Sequence, residues 1–203
     1  MNQKKIWIRK PLQQRSKAKF DAVLAALPQV LHQCGWRKTT TAQLALEADI
    51  SIGSLYNYFS CKDAVLLAYL DDRLHVALDS VLHAVSESDF DPYRFIRAFV
   101  SSGVDFAYEH RDVLRIALQV FPEKMLDPDL ADSRAKLLQI INQSAAKKTF
   151  TLKKRDPRLA TYTLANIILG FQFRTVVMPD EGLKREAVVE ELSEIIANYL
   201  FDK

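Results

Sequence analysis

The chain has 203 residues, of which 49% are hydrophobic and only five are glycine, and its formal net charge is +3. The length allows one large domain or two small ones, and the scarcity of glycine together with the lack of long alternating β-branched runs favours helices. No run of 18 apolar residues and no signal-peptide core occurs, so we expect no membrane span and a cytoplasmic protein.

Positive charge is concentrated in the N-terminal part. Residues 1–64 hold ten Lys or Arg and four acidic residues, a net +6, so the remainder of the chain carries −3. This imbalance indicates a nucleic-acid partner for the first part only. Residues 1–15 contain five of the positive charges and no negative one. They are interpreted as a basic arm, either lying along DNA or forming a solvated tail.

Residues 16–34 predict the first helix, because apolar residues recur at helical spacing. The stripe consists of Phe20, Val23, Leu24, Leu27, Val30 and Leu31. Gly35 is expected to end this helix. Pro28 within it should kink it or break its hydrogen-bond ladder.

Residues 39–62 contain the local signals of two short helices joined by a tight turn. Thr40 followed by Gln43 is a capping box, so a helix should begin at Thr41. Asp49 is suited to the left-handed turn that ends it. Ser51 is then placed to cap a second helix.

The second helix is predicted over residues 52–58, with Leu55 facing inward. Its other side carries hydroxyl and amide groups, which are the groups that hold phosphates and read base edges. Two short helices about such a turn have the geometry of a helix-turn-helix. An ordinary helical hairpin packed in a bundle remains the alternative.

The rest of the sequence predicts further helices. Three Asp-Pro pairs each place a capping Asp before a Pro at the first helical position. With the neighbouring apolar patterns, they predict helices over residues 62–83, 92–109, 111–120, 128–147, 157–177 and 183–200.

Residues 157–177 are apolar on nearly every side, so this helix must be covered on every side. We expect one side to face its own domain and the other a second copy of the chain, with Gly170 allowing a close approach. The helix 183–200 would complete that interface. The alternative is the central core helix of a monomer.

Catalytic signals are missing from the sequence. It contains no glycine-rich phosphate loop, nucleophile elbow or HExxH, and its four histidines have no ligand-like spacing. We therefore expect no enzyme activity, no cofactor and no metal ion. Cys34 and Cys61 are too few for a disulfide framework and are expected to be reduced.

The helix-turn-helix stretch resembles the TetR family of transcriptional regulators. The similarity runs from about residue 16 to residue 66 and is carried by Gly35, Thr39-Thr40, Leu44-Ala45, Ala48, Ile50-Ser51, Gly53-Ser54-Leu55-Tyr56, Tyr58-Phe59 and Lys62. Asp49 and Ile52 depart from the family pattern, where Gly and a basic residue are usual. The resemblance implies an all-helical dimeric repressor whose divergent C-terminal domain binds a ligand.

These inferences predict an all-α protein with three parts. They are a basic arm over 1–15, a three-helix helix-turn-helix DNA-binding domain over 16–61, and a helical ligand-binding and dimerisation domain over 62–203. Thr40, Tyr56, Tyr58 and Lys62 are expected to hold phosphates, and Ser51, Ile52, Ser54 and Asn57 to meet base edges. A ligand-responsive homodimeric repressor of a near-palindromic operator is the expected function.

The ligand pocket follows only from the resemblance and from the aromatic composition of the C-terminal part. Its candidate residues are Phe95, Phe99, Phe106, Leu118, Phe121, Phe171 and Arg174, which favour an apolar or amphipathic effector with a negative or polar group on the arginine. Two alternatives stay open: a constitutive DNA-binding regulator without a small ligand, and a helical protein of this fold that does not bind DNA.

Overall fold

The computed structural model describes residues 13–86, 91–122, 153, 156–178 and 182–201. Every regular element in these ranges is an α-helix, which confirms the all-α prediction. The helices are α1 (Gln14–Lys38), α2 (Thr41–Glu47), α3 (Ile52–Tyr56), α4 (Lys62–Ser86), α5 (Pro92–Glu109), α6 (Arg111–Val120), α7 (Pro157–Val177) and α8 (Arg185–Leu200). The predicted helix over 128–147 and residues 1–12 of the predicted arm lie outside the described residues.

The chain divides into two compact units, which we call unit 1 (Met1–Asp72) and unit 2 (Arg73–Lys203). The division falls within α4, eleven residues beyond the boundary at 61/62 that the sequence suggested. The first turns of α4 therefore belong with the helix-turn-helix. The remainder of α4 belongs with the C-terminal helices.

Unit 1 is organised around α1. Five of the six predicted stripe residues of α1 are buried, with Leu31 partly so. Phe20 stacks on Phe59 with ring centroids 4.8 Å apart. The helix is longer than the predicted 16–34, since Arg15 already lies in its first turn and Lys38 in its last. Part of the predicted arm is therefore helix.

The interruption in α1 lies at Gly35 rather than at Pro28. Gly35 has a φ of 71°, which glycine adopts without steric cost, and one more turn follows it before the helix ends. Backbone angles stay helical through Pro28. Since proline lacks an N–H, the helix there loses one hydrogen-bond donor and continues.

Unit 2 is built on α5, against which both α7 and α8 pack. Their shared core contains apolar residues from these three helices and from α4: Val81, Phe95, Ile96, Val100, Val104, Leu164, Ile168, Val189, Ile196 and Leu200. The α5–α7 approach is close at Gly103, where a Cβ would lie 3.3 Å from Cγ2 of Ile168.

An ion pair fixes the start of α8 on α5. Nε of Arg185 lies 2.5 Å from Oδ1 of Asp105, and its Nη2 donates to Oδ2 of Asp105 and to the Ser101 hydroxyl, each at 2.6 Å. The hydrogen bond to Asp105 raises the pKa of Arg185 above its usual range, against the opposing effect of burial. The bidentate geometry defines the register of the two helices.

Most predicted boundaries agree with the structure, and the errors are at helix ends. α5, α6 and α7 begin and end where the sequence placed them, and Asp91 caps α5 by accepting from the backbone N–H of Tyr93 at 2.9 Å. α3 ends at Tyr56 rather than at residue 58. α4 extends three residues further than predicted, and α8 begins two residues later.

Candidate nucleic-acid interface and ligand cavity

The turn between α2 and α3 is set by local side-chain caps. Thr40 Oγ1 accepts from the backbone N–H of Gln43 at 3.2 Å, and Gln43 Oε1 accepts from the N–H of Thr40 at 2.9 Å. Asp49 has a φ of 52° in the turn, and Ser51 Oγ accepts from the N–H of Ser54 at 3.2 Å. All three predictions for this turn are confirmed.

Buried residues hold the two short helices in place. Leu44 of α2, Leu55 of α3 and Phe59 just after it are each fully buried. A hydrogen bond of 3.0 Å between the hydroxyl groups of Thr41 and Tyr56 joins α2 to α3. A helix as short as α3 is held by such tertiary contacts, since five residues do not form a stable helix alone.

The remaining surface of α3 is open. Ile52 and Tyr56 are 45% and 46% exposed, Ser51 and Asn57 are exposed, and Ser54 is half-buried beside the Ser51 hydroxyl at 2.9 Å. These five residues were predicted to lie at the DNA surface. The structure therefore brings them together on one exposed segment.

Three other predicted DNA-binding residues have intramolecular roles as well. Thr40 is exposed, and its hydroxyl donates to Gln43 Oε1 at 3.0 Å within the capping box. Tyr58 is half-buried and lies in the turn after α3, with its ring edge-on to Phe20 at 6.0 Å. The third is Lys62.

The Lys62 ammonium is held by the protein itself. Its Nζ donates to the carbonyl oxygens of Trp36 at 2.8 Å and Thr39 at 3.1 Å, and lies 4.4 Å from the centroid of the Trp36 ring. Two of the three ammonium donors are therefore used to fasten α4 to the α1–α2 connection. One donor remains for a phosphate.

Unit 1 also exposes residues outside the predicted set whose side chains are suited to contact with DNA. Arg15, Lys17, Lys19, Arg37 and Lys38 of α1 are exposed bases. Leu46 of α2 is 82% exposed, the largest exposure among the described large apolar residues. The charge imbalance of the first 64 residues already pointed to the basic residues. No signal in the sequence identified Leu46.

Unit 2 contains a cavity of about 320 Å³, which we call the unit 2 cavity. Its lining comes from α5, α6, α7, α8 and the residues just before α8. These residues are Tyr108, Arg111, Phe171, Arg174, Thr175, Met178, Leu183, Ala187, Val188, Glu191 and Leu192.

Only Phe171 and Arg174 of the seven predicted ligand residues line the unit 2 cavity. Phe95 is buried in the core with Phe99 partly buried against it, and their rings are 6.4 Å apart. Phe106 packs edge-on against His110 at 5.1 Å. Leu118 and Phe121 are partly buried and are not part of the lining. Aromatic content therefore identified core residues more often than cavity residues.

The outward side of α7 is mainly apolar, with Asn166 as an exposed polar residue on it. Leu159, Tyr162, Phe173 and Val177 are between 50% and 67% exposed, and Gly170 is exposed with nothing within 4 Å of a Cβ placed on it. Their successive spacings of three, eleven and four residues place them on one helical face, since eleven residues are close to three full turns. We call these four side chains the α7 stripe.

Comparison with known proteins agrees with the helix-turn-helix assignment. Residues 23–69 match the family described as bacterial regulatory proteins, tetR family. The chain is 26% identical to the HTH-type transcriptional regulator BetI of Stenotrophomonas maltophilia over 155 residues, 76% of this chain and 79% of that protein. It is 26% identical to BetI of Yersinia pestis over 189 residues, 89% and 88% of the two chains.

Solved structures share the fold of both units. The fatty acid degradation regulator FadR of Bacillus halodurans superimposes with a TM-score of 0.68 at 19% identity, covering 87% of this chain and 97% of that one. FadR of Thermus thermophilus, a TetR-family repressor in complex with lauroyl-CoA, gives 0.63 at 17% identity, covering 91% and 96%. In the described part of the chain no helix is long and apolar enough to cross a membrane.

Proposed function

We propose that this chain, a transcriptional regulator of the TetR family with a helix-turn-helix DNA-binding domain, is a ligand-responsive homodimeric repressor. The observation that carries the proposal is the open surface of α3, where four exposed side chains surround a helix that is anchored by two fully buried residues. A rigid support under exposed hydroxyl and amide groups is what base reading in a major groove requires.

Each subunit places α3 in a major groove. Ser51, Ile52, Ser54 and Asn57 meet base edges, and the aliphatic Ile52 suits contact with a thymine methyl. Thr40, Tyr56 and Tyr58 hold phosphates, together with the remaining ammonium donor of Lys62. The exposed bases of α1 add sequence-independent attraction to the backbone.

Dimerisation takes place through α7 and α8. The α7 stripe exposes four large apolar side chains on one face, whereas monomeric proteins rarely expose large apolar patches. Gly170 lies on the same face and leaves room for a partner helix. A two-fold dimer then sets two copies of α3 on half-sites about one DNA turn apart.

A small effector controls this dimer. Its proposed site is the unit 2 cavity, whose volume lies at the small end of the range for ligand pockets, about 300–1,000 Å³. Control requires that the effector bind two dimer shapes with different affinity. We expect it to favour the shape that releases DNA. The complex of Thermus thermophilus FadR with lauroyl-CoA is an example of ligand binding by a repressor of this fold.

Selection of genomic DNA fragments by the purified full-length protein tests the proposal. We expect enrichment of a near-palindrome with half-site centres about 10 base pairs apart. An Ile52→Ala/Asn57→Ala double variant should lose that enrichment, while Tyr93→Phe, at an exposed hydroxyl of unit 2, should keep it. Binding that depends on salt but favours no sequence, with and without the effector candidates below, would contradict the proposal.

A further inference from the structure

We propose that the unit 2 cavity binds a small amphipathic carboxylate, with Arg111 and Arg174 holding its charged end. This inference rests on the proposed function and specifies the chemistry of its effector. It differs from the prediction made from the sequence, since Phe95 and Phe99 belong to the core and Arg111 had no assigned role.

The walls of the cavity suit an apolar body. Tyr108 and Phe171 meet edge-to-face with ring centroids 6.4 Å apart and form an aromatic wall. Met178, Val188 and Leu192 supply aliphatic surface. Such a lining with a few charged groups is typical of sites in which apolar contact provides affinity and polar groups fix orientation.

The charges in the cavity favour an anion. Arg111 and Arg174 contribute two positive charges, and Glu191 is the one acid among the described residues that line the cavity. A ligand cation would therefore meet net repulsion. A carboxylate matches the planar guanidinium, which donates parallel N–H groups to both of its oxygens.

Arg111 has unused hydrogen-bonding capacity. Its Nη2 donates to the carbonyl oxygen of Met178 at 2.5 Å, which fixes the guanidinium at the end of α7. Its Nε is shielded from solvent and has no hydrogen-bond partner among the residues that the structure describes, and no carboxylate in those ranges pairs with the group. A partly shielded positive charge without a counter-charge is costly, and a bound carboxylate would offset that cost.

The volume sets the size of the part of the ligand that the cavity holds. A cavity of about 320 Å³ corresponds to roughly ten water molecules at their liquid volume of about 30 Å³ each. A ligand of about ten to twelve non-hydrogen atoms fits this space. The proposed class is thus a short aryl-alkyl or alkyl carboxylate.

The position of the cavity explains how such a ligand would act on the dimer. Arg174 and Met178 each follow directly after a residue of the α7 stripe, Phe173 and Val177. One residue is a rotation of about 100° around a helix, so the cavity wall and the proposed dimer face are neighbours on α7. A ligand between α7 and α8 therefore changes the packing of the two helices proposed to form the dimer interface. That interface would set the distance between the two copies of α3.

Three probes with one apolar body test the charge preference: 3-phenylpropionate, 3-phenylpropionamide and 3-phenylpropylammonium. Titration calorimetry on the full-length protein should give saturable binding of the carboxylate, about tenfold or more tighter than the amide, because one charge-assisted contact is lost. The ammonium compound should bind weakest. Equal affinity for all three, preference for the cation, or no saturable binding would overturn the proposal.

Variants locate the binding site. Arg111→Gln and Arg174→Gln should each weaken carboxylate binding by about tenfold and leave amide binding unchanged. Arg115→Gln is the matched control, because Arg115 also donates from α6 to a carbonyl oxygen of α7, that of Val176 at 3.2 Å, but does not line the cavity. An equal loss in the control would show that the effect comes from helix attachment.

Operator binding, measured on the same samples, separates the two proposals. If the wild type binds its operator and the carboxylate weakens that binding only when Arg111 and Arg174 are present, both proposals hold. Operator binding that no probe affects would reject the carboxylate site and leave the DNA-binding function standing. Carboxylate binding by a protein that selects no DNA would reject the proposed function instead.

Discussion

Two helices of this chain, α3 and α7, expose part of their surface to solvent. The exposed surface of α3 is mainly polar, whereas that of α7 is mainly apolar. The exposed residues of α3 and its flanks are mainly hydroxyl and amide groups. On α7 they include four large apolar side chains, Leu159, Tyr162, Phe173 and Val177, each at least half exposed. Hydroxyl and amide groups are satisfied by water until DNA replaces it, whereas a row of large apolar groups gains only when another apolar surface covers it.

The supports beneath the two surfaces also differ. α3 has five residues and is held by Leu55, by Phe59 beyond its end and by the Tyr56–Thr41 hydrogen bond. α7 has 21 residues and packs along α5, with Leu164, Ile168 and Val176 buried. A short anchored helix presents a few groups at one place. A long helix presents a continuous face. From these differences we expect a nucleic-acid partner for α3 and a second copy of the chain for α7.

The largest expected effect comes from charging the α7 stripe. Phe173→Arg would place two guanidinium groups in the dimer interface and remove two phenyl rings, which should weaken dimerisation by about a thousandfold. Sedimentation equilibrium measures this, and operator affinity should fall in parallel. Val76→Arg is the control, because Val76 on α4 is 53% exposed, similar to the 56% of Phe173. A dimer that tolerates Phe173→Arg as well as Val76→Arg would remove α7 from the interface.

The second prediction tests whether α3 recognises bases. Asn57→Ala removes an amide that is suited to bidentate contact with adenine, so affinity for the selected operator should fall about tenfold and one position should lose its base preference. Quantitative mobility shifts with single-base operator variants measure this. The exposed Glu47→Gln change on α2 serves as the comparison. Unchanged base preference in Asn57→Ala would separate α3 from base recognition.

Lys62 tests how far a residue of the DNA-binding unit also stabilises that unit. Lys62→Met removes hydrogen bonds to the carbonyl oxygens of Trp36 and Thr39 and a cation–π contact, and should lower the free energy of unfolding by about 1–3 kcal/mol. If its third donor holds a phosphate, binding to all sequences weakens and the salt slope falls by about one.

Urea unfolding and the salt dependence of operator binding give the two results for Lys62 separately. Lys38→Met is the control, since Lys38 is an exposed base at the end of α1. A destabilised variant with an unchanged salt slope would assign Lys62 a structural role alone. A fully stable variant would contradict the role of the two carbonyl contacts.

The smallest expected effect is on the pH dependence of protein stability, through His110 in unit 2. Burial lowers the pKa of His110 below its ordinary value of 6.5, with Glu109 raising it and Arg73 lowering it further. The folded protein binds a proton on His110 less readily than the unfolded chain does. The contribution of neutral His110 to the free energy of unfolding is therefore fully present above the ordinary pKa of histidine, and it is lost as pH falls through the lower pKa of the folded protein. Stability should therefore decline in acid more steeply in the wild type than in His110→Gln. Urea unfolding at several pH values measures the difference, with exposed His32→Gln as the control.

Local signals predicted most of the helix starts. The Thr40–Gln43 box, the positive φ of Asp49 and the caps at Ser51 and Asp91 occur as the sequence indicated. Each depends on residues within about four positions, so neighbouring side chains suffice to specify it. The early end of α3 and the continuation of α1 past Gly35 were missed, because the last turn of a helix depends on what packs against it.

The residues of one candidate site could likewise be predicted from the sequence, and those of the other could not. The exposed residues of α3 could be named from the sequence, since a short amphipathic helix has only one side that can be buried. The ligand residues could not, because the unit 2 cavity joins segments about 60 to 80 positions apart, and phenylalanine is as suited to a core as to a pocket wall.

The sequence by itself determined the all-α class, the helix-turn-helix and the excess of apolar surface on α7, because caps, helical periodicity and composition act over short distances along the chain. Only the tertiary structure decided which phenylalanines fill the core, that the Lys62 ammonium is bound 26 and 23 positions away at Trp36 and Thr39, and that Arg111 joins Arg174 around one cavity. These features depend on how whole helices pack, and the packing is set by the sum of many weak contacts between distant residues.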